Sequence, residues 1–203
     1  MNTLTGYFRQ AATALRFLVL ATVVLGVAYP LAVFGAGQLV APSQANGSVI
    51  HDAGGRPAAS ALLAQVAATT DGVQDPAWFH ARPSAAKWDP AGSSASNLGP
   101  NETKLQDAVT ANRNAVAASE GVAPAQVPAD AVTASGSGLD PEISMDYAMM
   151  QVPRVAQAHG LPEDAVRSMV EARTSSGVVA FLGQPSVNVT TLNLDVAAAA
   201  EGK

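Results

Sequence analysis

Cysteine is absent from the 203 residues, which removes disulfide frameworks, Fe–S clusters and thiolate zinc sites together. Charge is scarce too, at 13% against a 48% hydrophobic share, low for an ordinary soluble domain. What charge there is sums to −5, with a pI near 5.0. That is the wrong sign for a nucleic-acid partner, which requires a basic face. Aromatics reach only 5%, with two tryptophans, so no sugar-binding platform is expected. Catalytic signatures are missing as well. The Asp-Lys-Thr-Gly segment on which an aspartyl phosphate forms is absent, as are the Gly-x-x-x-x-Gly-Lys-Ser/Thr phosphate loop and the Gly-x-Ser-x-Gly elbow. His51, His80 and His159 show no metal-ligand spacing. The sequence therefore nominates no catalytic, cofactor-binding or metal-binding residue.

What the chain does have is one long apolar run. Between Phe17 and Ile50 there is neither a charged residue nor a histidine. Its densest part includes Phe17, Leu18, Leu20, Val24, Gly26, Tyr29, Pro30 and Phe34. About 20 helical residues cross about 30 Å of hydrocarbon, and residues 17–40 meet that length. Such a helix satisfies its own backbone in lipid. Pro30 is expected to kink the span rather than end it. A cleaved signal peptide is the alternative, but the run exceeds the usual apolar core and no small-x-small cleavage site follows it. Arg9 and Arg16 precede the span, while all sixteen acids follow it with nine of the eleven bases, a net −7. Positive-inside reasoning then gives a cytoplasmic tail, 1–16, a transmembrane helix, 17–40, and an extracytoplasmic domain, 41–203.

The outer part is long enough for one domain with a core. Pro, Gly, Ser and Asn cluster at 41–60 and 82–101, and 83–100 reads as a docking loop or extended cover. Three helices are expected. One spans 102–118, capped by Asn101, with Leu105, Ala108, Val109 and Val116 on one face. A second starts after Ser144, contains Pro153 and stops at Gly160. A third has Pro162 at its first position and buries Val166, Met169 and Val170. Alternating apolar residues predict a strand over 186–194 with a bulge at Thr190–Thr191, and 60–66 and 178–182 are candidate partner strands. The expectation is a single N-terminal transmembrane helix followed by a small α+β extracytoplasmic domain. Ser135-Gly136-Ser137-Gly138 reads as a tight turn in preference to an anion nest, since no lysine stands beside it.

Five segments in fixed order carry a resemblance. They are Gln44-Ala45-Asn46-Gly47-Ser48, Phe79-His80-Ala81-Arg82-Pro83-Ser84-Ala85, Ser96-Asn97-Leu98-Gly99-Pro100, the stretch Val132-Thr133-Ala134-Ser135-Gly136-Ser137-Gly138-Leu139-Asp140-Pro141, and Gln151-Val152-Pro153-Arg154-Val155-Ala156. Preceded by a hydrophobic segment with Tyr29-Pro30, this series resembles the C-subunit family of the bacterial Kdp-type potassium-transporting P-type ATPase, from about Phe17 to about Leu194. One departure stands out: the family pattern usually places Gly-Gly where this chain has Ser94-Ala95, which puts the local path of that loop in doubt.

The resemblance implies a non-catalytic accessory subunit in the bacterial inner membrane, joined to a channel-like potassium-binding subunit (KdpA), an ATP-hydrolysing subunit (KdpB) and a small single-span subunit (KdpF). The complex would use ATP, Mg2+ and K+, with none of them bound by this chain. It also implies a possible role as catalytic chaperone, raising the ATP affinity of the hydrolysing subunit. Phe79, His80, Arg82, Pro83, Ser84, Ser96, Asn97, Leu98, Gln151, Pro153 and Arg154 become the candidate subunit interface. Trp78, Phe79, His80 and Arg82 have the composition of a surface hot spot, though an aromatic pair anchoring the core reads equally well. A membrane-anchored binding module or enzyme unrelated to transport is the alternative function.

Overall fold

A computed structural model describes residues 3–52, 54–67, 73–175 and 183–202. The chain divides into two compact units, the first ending at Val49 and the second beginning at Ile50.

The first unit is built on helices α1 (Thr3–Val23) and α2 (Tyr29–Val40), joined by a π-helical turn over Val24–Ala28. The helical stretch Leu4–Val40 is long and apolar enough to cross a bilayer, with a mean hydropathy of 2.4 in its best window and none of that window buried. Helix begins well before residue 17, so the expected tail is itself helical. Pro30 does not end the helix. Proline lacks an N–H and its ring collides with the carbonyl four residues earlier, here that of Gly26. The π turn absorbs this, with the Tyr29 N–H donating to the Val24 carbonyl five residues back. Beyond α2 a short helix α3 (Pro42–Ala45) turns the chain. Gln38 and Asn46 lock it through two carboxamide bonds of 3.2 and 3.0 Å, and Gly47 and Ser48 leave it with φ of 84° and 50°.

Strand β1 (Val49–His51) starts on the last residue of the first unit and pairs with β2 (Pro57–Ser60) of the second. Further along the chain come α4 (Thr103–Glu120), a 3₁₀ turn (Pro124–Gln126), β3 (Glu142–Ser144), α5 (Met145–His159), α6 (Glu163–Arg173), β4 (Ser186–Asn188) and α7 (Val189–Glu201). Strands β3 and β4 pair antiparallel, Ile143 opposite Val187. Helices α5, α6 and α7 pack with them around Ile143, Val152, Val155, Val166, Val170, Val187, Leu192 and Val196, all essentially inaccessible. Each such side chain stabilises the fold by about 1.5–3 kcal/mol relative to exposure.

Caps set the helix boundaries. The Ser144 hydroxyl accepts the Tyr147 N–H at 3.1 Å, as an N-cap should, and Gly160 ends α5 at φ 61°. Pro153 lies exposed inside α5, which continues because burial of Val152, Val155 and Ala156 holds both sides of it. Three boundary expectations are corrected. Glu102, not Asn101, precedes α4, and its carboxylate accepts the Gly99 N–H instead of capping the helix. Pro162 is the residue before α6 rather than its first. The strand expected over 186–194 ends at Asn188, where α7 begins. The Asn188 side chain caps the Thr191 N–H at 3.1 Å, and Val189, Leu192 and Val196 fall on one buried helical face. Only Ser60 of the 60–66 candidate is strand, and 178–182 lies outside the described residues.

Candidate functional site

Residues 79–81 are extended but lie in no strand, so their backbone polar groups need other partners, as buried amides do. Three carboxamides supply them, one per residue. Asn193 on α7 accepts the Phe79 N–H at 2.9 Å and donates to its carbonyl at 3.0 Å. Gln151 on α5 accepts from His80 at 2.6 Å and donates back at 3.3 Å. Gln74 does the same for Ala81 at 2.7 and 3.2 Å. A carboxamide presents one acceptor beside one donor, as a peptide group does, and here each replaces one neighbouring strand residue. Asn193 and Gln151, distant in sequence, clamp this strap to the core, and Gln74 holds it locally from seven residues upstream.

Arg154 orders the same region. Its Nε donates to both Glu120 carboxylate oxygens at 3.0 Å, and Nη2 donates to Gln151 Oε1 at 2.8 Å. Its Nη1 donates to the Trp78 carbonyl at 2.9 Å and also to that of Pro76. The Glu120 side chain is only 1% exposed, so burial raises its pKa while the Arg154 charge opposes the rise. His80 feels the same environment. Burial, then the Arg154 charge, pushes its imidazole down to about 4, leaving it neutral at pH 7 with Nε2 3.1 Å from the Asp75 carbonyl. The His159 ring meets Trp78 at a 4.5 Å centroid distance, and its Nε2 lies 2.9 Å from the Ala77 carbonyl.

The strap leads into a platform of two laced loops. Arg82 donates to Asp140 at 3.3 Å and to the Thr133 carbonyl at 3.4 Å. The Ser84 hydroxyl donates to the Gly138 carbonyl at 2.6 Å and accepts the Trp88 N–H at 3.0 Å. The Ser94 N–H and the Ser93 hydroxyl both reach the Ser137 carbonyl. Gly138 sits at φ 69°, and a Cβ there would lie 2.6 Å from the Ser94 carbonyl oxygen, so this close approach requires glycine. Ser135 to Gly138 close a turn through the Gly138 N–H and the Ser135 carbonyl. Ser94 and Ala95 avoid positive φ; that strain falls on Lys87, Trp88 and Asn97 at 53°, 56° and 52°.

The expected interface residues therefore divide. Phe79 and Gln151 are buried within the chain, at 1% and 0% exposure, so Phe79 adds no surface to the constellation around residues 78–82, while Trp78, His80 and Arg82 are half-buried. Phe79 is a core anchor, its ring buried and its N–H and carbonyl both held by Asn193. Arg82, Ser84 and Arg154 spend their polar atoms on internal carbonyls and carboxylates. Pro83 is half-buried, with its carbonyl accepting the Ser135 N–H at 3.3 Å. Ser96, Asn97 and Pro153 face outward, and Leu98 is half-buried. In the first unit, the side chains of Phe17, Leu18, Leu20, Val24, Tyr29 and Phe34 are all exposed, as lipid-facing or partner-facing groups are. Sequence reasoning missed Gln74, Glu120 and Asn193. None lies in a recognisable motif; Glu120 and Asn193 gain their roles by pairing across the fold, and Gln74 by a local bond to Ala81. Among the described residues, no group of three or more His, Asp or Glu side chains could hold a metal ion.

Comparison with known proteins is consistent in direction. The family model for KdpC, described as K+-transporting ATPase, c chain, matches residues 11–198. A potassium-transporting ATPase KdpC subunit of Kineococcus radiotolerans is 49% identical over 97% of both chains. One from Caulobacter vibrioides is 50% identical over 85% of this chain and 84% of its own. One from Myxococcus xanthus is 43% identical, covering 92% and 87%.

Proposed function

The chain belongs to the KdpC family of K+-transporting ATPase c chains, and from that premise we propose that it is the non-catalytic scaffold subunit of an ATP-driven potassium-uptake complex. Its partners in this reading are the channel-like potassium-binding subunit, the ATP-hydrolysing subunit and the small single-span subunit. The membrane helix packs laterally against them with its N-terminus in the cytoplasm, while the outer domain stands over the potassium entry route. The observation that carries the reading is the use of the motif side chains. Gln151, Arg154, Arg82 and Ser84 are spent on fixing the strap and the laced loops. That makes a rigid platform with Ser96, Asn97 and Pro153 on its surface.

An effect on the ATP affinity of the hydrolysing subunit belongs to the same reading, routed through the membrane helix. The Ser135–Gly138 turn is poorly suited to nucleotide, because the Gly138 and Leu139 N–H groups are already given to the Ser135 carbonyl and the Ser137 hydroxyl. A ligand can shift a distant equilibrium if it binds two states differently, and the π turn at Val24–Ala28 is a natural place for the helix to differ between states.

The test is co-purification. Tagged chain is recovered from native membranes in mild detergent, as the wild type and as Gly26→Leu. A Cβ at Gly26 would make only an ordinary contact within this chain, to the Thr22 Cγ2 at 3.7 Å, and the larger side chain tests close approach by another helix. The expected result is a P-type ATPase polypeptide and a channel-like polypeptide in equal ratio with the wild type, reduced at least several-fold with the variant. Recovery of the wild-type chain alone, under conditions that preserve other complexes, would overturn the proposal in favour of an anchored binding module.

A further inference from the structure

Between α4 and the loop that follows the strap lies a cavity of about 420 Å³, within the usual range for small-molecule sites, about 300–1,000 Å³. Ala115, Val116 and Ala131 form apolar walls, and Trp88, Asn112 and Tyr147 also line it. Trp88 is held there at φ 56°, next to Lys87 at 53°. Two consecutive non-glycine residues in the left-handed region carry a strain that ordinary loops avoid. The indole N–H is fixed by the Arg82 carbonyl at 3.1 Å.

The chemistry of the lining is selective. Among the described residues, no lining side chain is charged at neutral pH; His80, the one titratable near neutrality, is neutral because burial and Arg154 hold its pKa at about 4. A charge entering such a cavity would lose hydration without gaining a partner, which excludes phosphates, carboxylates and ammonium groups. Most polar lining groups are already spent. Gln74 is committed to Ala81, and the Ser84 hydroxyl to the Gly138 carbonyl and the Trp88 N–H. Tyr147 and Asn112 each have a function left over. Tyr147 is 2% exposed, yet its hydroxyl hydrogen-bonds to no described residue. Asn112 donates from Nδ2 to the Val132 carbonyl at 3.2 Å, leaving its carbonyl oxygen to accept. The Tyr147 hydroxyl opens on the cavity rather than being sealed in the core, and a donor with an acceptor in the same lining calls for a ligand group that offers both.

We propose that this cavity is a binding site for a neutral small molecule that carries a carboxamide or hydroxyl toward Tyr147 and Asn112 and a flat apolar body against Trp88. The site lies on this chain alone and does not depend on the subunit role.

The chain's two tryptophans make the test specific, since Trp88 lines the cavity and Trp78 does not. The full chain in detergent micelles, with its indoles labelled with 15N, is titrated with benzamide and, separately, with benzoate. Benzamide is expected to shift the Trp88 indole N–H saturably and leave Trp78 in place, and benzoate to leave both unmoved. Tyr147→Phe should weaken the benzamide response several-fold, and Ala115→Phe, which fills the cavity from α4, should abolish it. An unchanged Trp78 resonance shows that each variant is folded. A response that never saturates, equal shifts at both indoles, an equal response to benzoate, or full retention in Ala115→Phe would each overturn the proposal.

Discussion

At the residue scale, His80 shows how a polar group can be placed in a core at a cost that appears only when pH changes. Its folded pKa lies near 4, below the ordinary 6.5, because burial and then the Arg154 charge disfavour the imidazolium. Between those two values the unfolded chain binds a proton that the folded chain refuses, so stability must fall as pH drops from about 6.5 to about 4. At 1.36 kcal/mol per pK unit, the shift is worth about 3 kcal/mol. Unfolding of the full chain, measured at pH 7 and pH 4, should show that loss in the wild type and a clearly smaller one in His80→Gln. Equal losses in both chains would mean that His80 titrates normally. The histidine was visible in the sequence, but its neutrality was not. It depends first on burial of the strap and then on Arg154, brought alongside by α5.

At the scale of elements, the two laced loops depend on one backbone position. Gly138 combines a φ of 69° with a site where a Cβ would stand 2.6 Å from the Ser94 carbonyl oxygen and 2.8 Å from the Ala86 Cβ. Gly138→Ala should therefore cost more than the ordinary glycine-to-alanine penalty, about 1 kcal/mol or above. The loss should be local, because the helical core lies outside the lacing. Amide exchange reads it directly: the Ser94 N–H, which donates to the Ser137 carbonyl at 2.9 Å, should lose protection while Val155 and Val170 keep theirs. Unchanged protection at Ser94 would mean that the loops are held some other way. The Gly-rich run marked the turn in the sequence, but nothing in its composition revealed that residues 93–94 would be its partner.

Helix α7 is the instructive miss at this scale. Val187, Val189, Leu192 and Leu194 read as a strand with a bulge, because β-branched residues and partial alternation favour that period. The competing signal was present in Asn188 as a cap, the spacing of Val189, Leu192 and Val196, and the alanines that follow. Burial against α6 decided in favour of the helix, since that face fits a helical neighbour and tertiary packing overrides strand propensity.

For the whole molecule, the question is which side of the membrane each unit occupies. Arg9 and Arg16 before the span, with Asp52 the first charge after it, predict a cytoplasmic N-terminus by the positive-inside rule. The absence of cysteine makes this cleanly testable. Single cysteines at Thr5, near the start of α1, and at Ser96, exposed in the second unit, are treated with a membrane-impermeant maleimide in cells whose outer barrier has been opened. Ser96→Cys should react at once, and Thr5→Cys only after the inner membrane is permeabilised. The reverse pattern would invert the topology and remove the outer domain from the potassium entry side.

The sequence alone determined whatever follows from counting along the chain. A run of apolar residues longer than the bilayer core must span or be buried, Ser144 and Gly160 bound a helix by local hydrogen bonding and φ, and missing motifs exclude their chemistries. Tertiary structure alone decided the fate of polar groups that must be paired at a distance. Phe79 is held by Asn193, His80 by Gln151, and Arg154 by Glu120. A carboxamide looks the same in sequence whether it faces water or replaces a missing strand. Only the fold brings an unpaired peptide group within 3 Å of it, and the cost of leaving that group buried and unpaired makes the choice.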